Sequence, residues 1–431
     1  MENGRYCRFH YAAQTAIATG MNDFMEMEEI EPGIFIQRKG RIGITAGQYA
    51  PRRIGEALPM TQWDTVKNQL IKKGWILYTE KKLTTVTVTK NAGNFEGKEF
   101  KPEDDQGVNA IIKRLWQYAN LESEESYTYK VQDIPENMTL EGAKIINELK
   151  AEYKTMSEAA FNAKLMTYFA YVPRRMKKLV CTRNTPGKST IEKMETILAN
   201  EEEKLDFLMD QIRSTKGIVQ ADLSKVKTIT ELYGLEWTTA TSEEREYVKS
   251  LMDSENRDRV ANVWRVKNLK TAARFEEFCK KKGLSEGNGI SHLWHGSRAQ
   301  NWWSITTNGL WIKPGLNGRI NGSMFGYGLY FAPESDKSLG YTDYGRWIRG
   351  NANTGFLALN KVATGKPFYY YKENGGASDE CLAGMKRRGT DCLWAQSRAH
   401  DPSGRSCLFR DEVIIYDDAQ TTIEYLVEVL N

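Results

Sequence analysis

The sequence is poor in the residues that most often hold metals or staple small folds. Its six cysteines, Cys7, Cys181, Cys279, Cys381, Cys392 and Cys407, are scattered with no Cys-x-x-Cys pair. Four histidines in 431 residues give no zinc-finger spacing. These absences predict a reduced, intracellular chain without a structural metal. No stretch approaches eighteen apolar residues, so no membrane-spanning helix is expected. The segment Met1 to Gln14 lacks the apolar core of a signal peptide, so secretion is not expected either. No Gly-x-Gly-x-x-Gly follows a strand pattern and opens a helix, which argues against a hydride-transfer nucleotide fold. Gly187-Lys188-Ser189-Thr190 ends like a phosphate-binding loop, but the glycine required five residues earlier is Thr182. Ser189-x-x-Glu192 reads more simply as a capping box opening a helix.

What is present divides by composition. The length suits two or three domains. Phe35–Arg38 and Arg41–Thr45 read as strands meeting at a Lys39-Gly40 turn. Trp63–Lys73 then reads as an amphipathic helix stopped by Gly74, and Trp75–Tyr78 as a returning strand. Between Arg38 and Lys90 stand eleven Lys/Arg against three Asp/Glu. This is either a solvated basic face or a phosphate-binding one. Asn91–Gly107 is polar and Gly-containing, as a linker would be. From Val108 to Gly217 apolar residues recur at helical spacing, with Asn137 or Thr139 as a helix cap and a further helix over Ile191–Ile212. Beyond Asp222, short strand patterns dominate: Lys225–Ile229, Val260–Val266, Gly355–Leu359, Pro367–Tyr371, Glu412–Tyr416 and Tyr425–Val429. With Ser242–Met252 as a helix, this predicts a curled, antiparallel α+β domain rather than a doubly wound one.

The densest pattern lies between Leu293 and Tyr341. It runs Leu293-Trp294-His295-Gly296-Ser297, then Met324-Phe325-Gly326-Tyr327-Gly328-Leu329-Tyr330-Phe331-Ala332, then Lys337-Ser338-x-x-Tyr341. With Asp411-Glu412-Val413-Ile414-Ile415-Tyr416-Asp417, these strings resemble the catalytic core of the poly(ADP-ribose) polymerase family. The resemblance implies a His295–Tyr330–Glu412 triad and NAD as substrate, without a metal. Glu412 would stabilise an oxocarbenium-like transition state through the ribose 2-hydroxyl and orient the acceptor. His295 would bond the adenine-side ribose, and Gly296 would offer its backbone to the nicotinamide carboxamide. Ser338 would add a hydroxyl there, Tyr341 would stack on the pyridinium and Lys337 would sit toward the acceptor. Ser297 and Ala332 complete the implied NAD-binding set.

A looser resemblance covers the rest. Lys39-Gly40-Arg41-Ile42-Gly43, the aromatic helix and Lys73-Gly74-Trp75 are similar to the WGR module of DNA-dependent members, with Lys39 where that family has Trp. The segment around Val131–Leu149 and the Phe169-Ala170-Tyr171-Val172-Pro173 turn resemble the family's helical regulatory domain. The implied architecture is α+β and multidomain. A β-rich WGR-like module (1–90) with Arg38, Lys39 and Arg41 toward DNA leads through a linker (91–107) to an all-α regulatory domain (108–218). A mixed ADP-ribosyltransferase fold with two mainly antiparallel sheets (219–431) follows. The implied partners are DNA strand breaks and acceptor proteins including the chain itself, with no membrane and a monomer off DNA. The implied location is the nucleus in a eukaryote, otherwise the cytoplasm or nucleoid. Two further departures are Trp311, where an Arg often follows the Gly-Leu pair, and Ser323, where several polymer-forming members have Tyr. They leave adenine contacts and polymer length open. Mono-ADP-ribosylation, NAD hydrolysis and a non-enzymatic DNA-end-binding scaffold stand as the alternatives.

Overall fold

The structure is a computed structural model, which describes residues 4–12, 22–44, 47–83, 100–176, 179–219, 226–316, 323–343, 353–371 and 378–430. Most of the linker expected over 91–107 lies outside these. The chain folds into two compact units. One comprises 1–98, 123–215 and 314–316; the other comprises 99–122, 216–313 and 317–431.

The first unit carries a five-stranded antiparallel sheet in the order β4-β3-β2-β1-β5. Its strands are β1 (Gly4–Tyr11), β2 (Asp23–Glu31), β3 (Ile34–Arg41), β4 (Arg52–Pro59) and β5 (Ile76–Leu83). The helix Trp63–Lys72 lies as the sequence predicts, and its Trp63 and Leu70 join Phe9, Met27 and Phe35 in the core. Lys39-Gly40 is not a turn. Both residues sit within β3, paired opposite Met25 and Phe24 of β2, and the hairpin turn falls at Pro32-Gly33. Gly40 marks a close approach instead: a Cβ there would meet the Phe24 ring at 2.9 Å and the Pro51 Cα at 3.1 Å.

The same unit contains the helices Glu136–Glu152 and Glu158–Tyr171 and most of Thr190–Val219. Ser189 and Glu192 do form the predicted reciprocal cap. Each backbone amide donates to the other's side chain, at 3.2 and 3.1 Å. The cap expected at Asn137 or Thr139 is displaced, because the helix begins at Glu136 behind Pro135, and Thr139 turns its hydroxyl inward to the Glu136 carbonyl. His10 on β1 is completely buried. Its Nδ1 donates to the Ala170 carbonyl at 2.8 Å, its Nε2 accepts from the Tyr129 hydroxyl at 3.2 Å and its ring stacks on Tyr78.

The second unit is α+β with two mixed, mainly antiparallel sheets. The larger has the order β6-β7-β15-β11-β9-β8, built from β6 (Leu235–Thr239), β7 (Val260–Asn268), β8 (Ser285–Glu286), β9 (Gly289–Ser297), β11 (Thr354–Ala363) and β15 (Thr421–Leu430). The smaller has the order β10-β14-β13-β12, from β10 (Leu329–Phe331), β12 (Pro367–Tyr370), β13 (Cys392–Ala395) and β14 (Glu412–Ile415). Only the β8–β9 and β12–β13 pairs are parallel among the described strands. The strand expected over Lys225–Ile229 is not formed in its described part. Thr228 instead caps the helix Ile229–Tyr233, closing a capping box with Glu231.

The helix Gln106–Ser126 contributes its residues up to 122 to this unit. Asp105, just before it, accepts from the Thr239 amide and hydroxyl. Arg114 then donates at 2.7 Å to Glu428, a carboxylate buried in β15 that also accepts from Asn262 at 2.7 Å.

Candidate active site

The site is built where the two sheets of the second unit meet. Leu293 on β9, Phe331 on β10 and Val413 on β14 share one apolar cluster, so the three strands are fixed relative to one another by burial of their inward residues. The chain then ties β9 to the end of β10 directly. Trp294 and Ala332 exchange backbone hydrogen bonds of 2.8 and 2.9 Å. Ala332, from the implied NAD-binding set, is thus a buried link between the sheets.

His295 follows Trp294 on β9 and donates from Nδ1 to the Tyr330 carbonyl at 2.9 Å. A carbonyl can only accept, so this bond places the proton on Nδ1 and makes Nε2 the acceptor in the neutral ring. Tyr330 turns its hydroxyl toward the Gly-rich loop, donating to the Gly326 carbonyl at 2.7 Å and accepting from the Phe325 amide at 3.1 Å. Burial raises its pKa far above the usual phenol value and keeps it protonated. It therefore fixes the loop that precedes its own strand.

Glu412 opens β14, paired opposite Ala395, and is buried. Its Oε1 lies 2.6 Å from the Lys337 ammonium, which the short helix Ser335–Leu339 supplies. Burial works most strongly to discharge Lys337, but Glu412, with Tyr341 and Glu334 adding to it, leaves the net pKa of the amine raised. Lys337 thus stands as an ammonium.

The same helix explains Gly296. A Cβ built there would fall 1.9 Å from the Ser338 carbonyl oxygen and 2.7 Å from its carbon. The glycine expected to make room for a ligand is required first by the protein's own backbone. Ser338 is buried, and its carbonyl accepts from the Tyr341 amide at 3.1 Å. Ser297 is held from two sides, its hydroxyl accepting from Asn301 at 2.9 Å and its carbonyl from the Trp302 indole at 3.1 Å. The structure therefore joins His295 to Tyr330, Gly296 to Ser338 and Lys337 to Glu412.

Sequence reasoning missed two supports. Trp302 is fully buried with its ring 6.4 Å from His295; its signal is a tandem Trp shortly after His-Gly-Ser. Asp411, next to Glu412, accepts from the Ser397 amide, the Trp394 indole and the His400 imidazole at 2.7, 2.8 and 2.9 Å. Nothing local distinguishes it from a surface acid.

Arg38, Lys39 and Arg41, the residues expected to face DNA, all lie on β3 of the first unit. Arg38 pairs with Glu28, and Lys39 lies 3.1 Å from Asp23. Arg41 lies 3.8 Å from Asp23 with its guanidinium over the Tyr49 ring. The basic window begins just after the strand that carries these acids. Five Asp and Glu fall between Asp23 and Glu31.

A cavity of ≈ 480 Å³ beside the helix Leu269–Lys282 is lined by residues such as Phe275, Cys279, Lys361 and Glu424, and by none of the candidate site residues. No group of three or more His, Cys, Asp or Glu that could hold a metal occurs among the described residues. No described helix is long and apolar enough to cross a membrane.

Residues 241–431 match the family model described as the poly(ADP-ribose) polymerase catalytic domain. The chain is 30% identical over 186 residues to poly [ADP-ribose] polymerase 2 of Arabidopsis thaliana, which covers 39% of this chain and 28% of that protein. It is 32% identical over 157 residues to poly [ADP-ribose] polymerase 2 of Homo sapiens, covering 32% and 26%. A longer alignment, 26% identical over 324 residues, relates it to poly [ADP-ribose] polymerase of Sarcophaga peregrina, covering 66% and 30%. In each case the chain spans less than a third of its relative's length.

Proposed function

We propose, from the match of residues 241–431 to the poly(ADP-ribose) polymerase catalytic domain, that the chain cleaves NAD and transfers ADP-ribose to protein acceptors, itself included, with release of nicotinamide. The observation that carries this is the buried Glu412 carboxylate held by Lys337 at 2.6 Å, on a strand neighbouring the one that gives Tyr330. As the nicotinamide–ribose bond breaks, positive charge develops on the sugar. A fixed carboxylate that bonds the 2-hydroxyl stabilises this charge more than it stabilises the ground state. His295, with Nδ1 committed to the Tyr330 carbonyl, would receive a ribose hydroxyl at Nε2. Tyr341 would face the nicotinamide ring, while Gly296, Ser297, Ala332 and Ser338 form the wall.

Polymer formation and activation by broken DNA are the finer part of the reading. They assign 1–90 to DNA contact through Arg38, Lys39 and Arg41, 108–218 to autoinhibition and 219–431 to catalysis. On this reading the chain is monomeric off DNA and works in the nucleus of a eukaryote, otherwise in the cytoplasm or nucleoid. Support comes from the WGR-like string and from cations whose present partners, Asp23 and Glu28, phosphates would have to replace. The test is to incubate the full chain with labelled NAD, with and without nicked DNA, and to resolve the products on a gel. A ladder that depends on nicked DNA and vanishes in Glu412→Gln is expected. No labelled product and no released nicotinamide would overturn the transferase reading. Equal product with and without DNA across a salt titration would overturn the DNA reading alone.

A further inference from the structure

Three residues before Glu412 stands Phe409, whose side chain is 79% exposed. It is the most exposed large hydrophobic residue among those described. It does not hang from a slack loop. The segment 396–411 is framed by two buried aspartates, Asp401 and Asp411. Asp401 accepts from the amides of Ser403, Arg405 and Ser406 at 2.9, 2.8 and 2.8 Å, and from the Ser403 hydroxyl. Asp411 accepts the three donors described above. A backbone bond of 2.9 Å from Arg398 to Leu408 closes the loop beneath Phe409.

With both acids turned inward, the loop presents cations outward. The Arg398 guanidinium lies 5.9 Å from the Phe409 ring centre, and that of Arg405 lies 5.5 Å from the ring of Tyr371. Arg410 is 45% exposed and 3.8 Å from Asp336. His400 holds its Nδ1 proton on Asp411 and leaves most of its ring in solvent. Tyr369, 57% exposed on β12, adds a second accessible aromatic ring, beside Trp394.

We propose that this loop is a binding surface for single-stranded nucleic acid, with bases stacked on Phe409 and Tyr369 and phosphates met by Arg398, Arg405 and Arg410. Exposed rings alternating with guanidinium groups suit unpaired bases on a charged backbone. An acidic peptide would use the arginines but would leave Phe409 unexplained. A duplex hides its base faces and cannot stack on the ring. The surface belongs to the second unit, whereas the β3 residues assigned to DNA belong to the first. It brings a bound strand to the end of β14 where Glu412 stands.

The test uses the full chain carrying Arg38→Glu and Arg41→Glu, so that the first unit's cations do not dominate. Binding of a fluorescent thymidine oligonucleotide of about 15 nucleotides is followed by anisotropy at several salt concentrations. Phe409→Ala should weaken binding about tenfold at every salt concentration, since it removes stacking and no charge. Arg398→Ala should lower the salt slope by about 0.7. Both side chains are on the surface, and unchanged melting temperatures verify folding. A blunt duplex should compete poorly. Unchanged affinity in both variants would overturn the proposal. So would displacement by poly-glutamate as efficient as by unlabelled oligonucleotide, which would mark a surface for acidic protein. Tighter displacement by purified ADP-ribose chains would reassign the surface to polymer.

Discussion

The ammonium of Lys337 lies 2.6 Å from Oε1 of Glu412, and both side chains are largely withdrawn from water. Removing one partner of such a pair leaves the other charge buried, at a cost of about 3–5 kcal/mol. Lys337→Met should therefore lower both thermal stability and ADP-ribosyl transfer, the latter at least tenfold, while Lys337→Arg should retain part of each. Glu412→Gln should remove long products but leave some nicotinamide release, because the amide keeps a hydrogen-bonding oxygen and loses only the charge. Nicotinamide release and product length, measured on the same sample, separate the two effects. A Gln variant that makes polymer at the unsubstituted rate would contradict the role given to Glu412.

Gly296 is expected to tolerate nothing larger. A methyl group there meets the Ser338 carbonyl at 1.9 Å, and the obstacle is backbone on both sides, so relief requires moving the helix Ser335–Leu339 off β9. The expected penalty for Gly296→Ala is about 3 kcal/mol or more. Chemical denaturation would read it. An inhibitor that fails to bind this variant would thus report a displaced helix rather than a filled pocket. A variant of unsubstituted stability would show that the helix yields.

His10 gives the first unit a defined acid response. Burial, with the charge of Arg8 adding to it, pushes the imidazole pKa down to about 3, against the raising effect of the Ala170 carbonyl. Tyr78 and Tyr129 pack against the ring as neutral phenols. The unfolded ring titrates near the ordinary 6.5, so below that pH the unfolded chain gains a proton that the folded chain refuses. The contribution is complete above pH 6.5 and declines as pH falls toward 3, by about 1.4 kcal/mol per unit. Urea unfolding at pH 7.5 and 5.5 should differ by roughly that amount from this group. His10→Gln should remove the difference while lowering stability at both pH values.

Where the helical region is cut should matter. Arg114 belongs to the second unit and satisfies a carboxylate buried in its larger sheet. A deletion of 108–217 takes Arg114 with it and strands Glu428, whereas a deletion of 123–215 spares it. The shorter deletion is expected to give soluble protein with raised nicotinamide release in the absence of DNA, and the longer one a destabilised product. The melting temperatures of the two proteins, with Arg114→Ala in the full chain as reference, decide this. Equal stability of all three would refute it.

Much of the candidate site's local layout was legible because it is sequence-local. His295, Gly296 and Ser297 share one strand, Tyr330 ends a Gly-rich loop and Glu412 opens an apolar run. Their side-chain types suit the chemistry proposed for them. What was hidden is tertiary. That Ser338 is the neighbour which forbids a side chain at Gly296 depends on a helix about forty residues away in the chain. Lys39-Gly40 reads as a turn by composition, yet Gly40 serves to admit Phe24 from the adjacent strand. The excess of cations after Arg38 shrinks once β2 brings Asp23 and Glu28 alongside, because cross-strand pairing ignores the window over which charges are counted. Lys225–Ile229 looked like a strand because β-branched residues alternate with lysine, but the cap formed by Thr228 and Glu231 decided its end for a helix.

The paired backbone bonds between Trp294 and Ala332 also govern which kinds of damage the protein can survive. These bonds use main-chain atoms and so do not depend on the chemistry of either side chain, although the Trp294 ring is itself buried in the core. The residues they align, His295 and Tyr330, lie one and two positions away on opposite strands. The same main-chain bonds thus serve fold and alignment, while the chemistry proposed for the site rests on the side chains of His295 and Tyr330. Substitutions at His295 or Tyr330 would then be expected to abolish the proposed turnover while the main-chain link between the strands persists. If the proposed activity holds, such a variant would keep its shape, and release of nicotinamide would be the measurement that separates it from the unsubstituted protein.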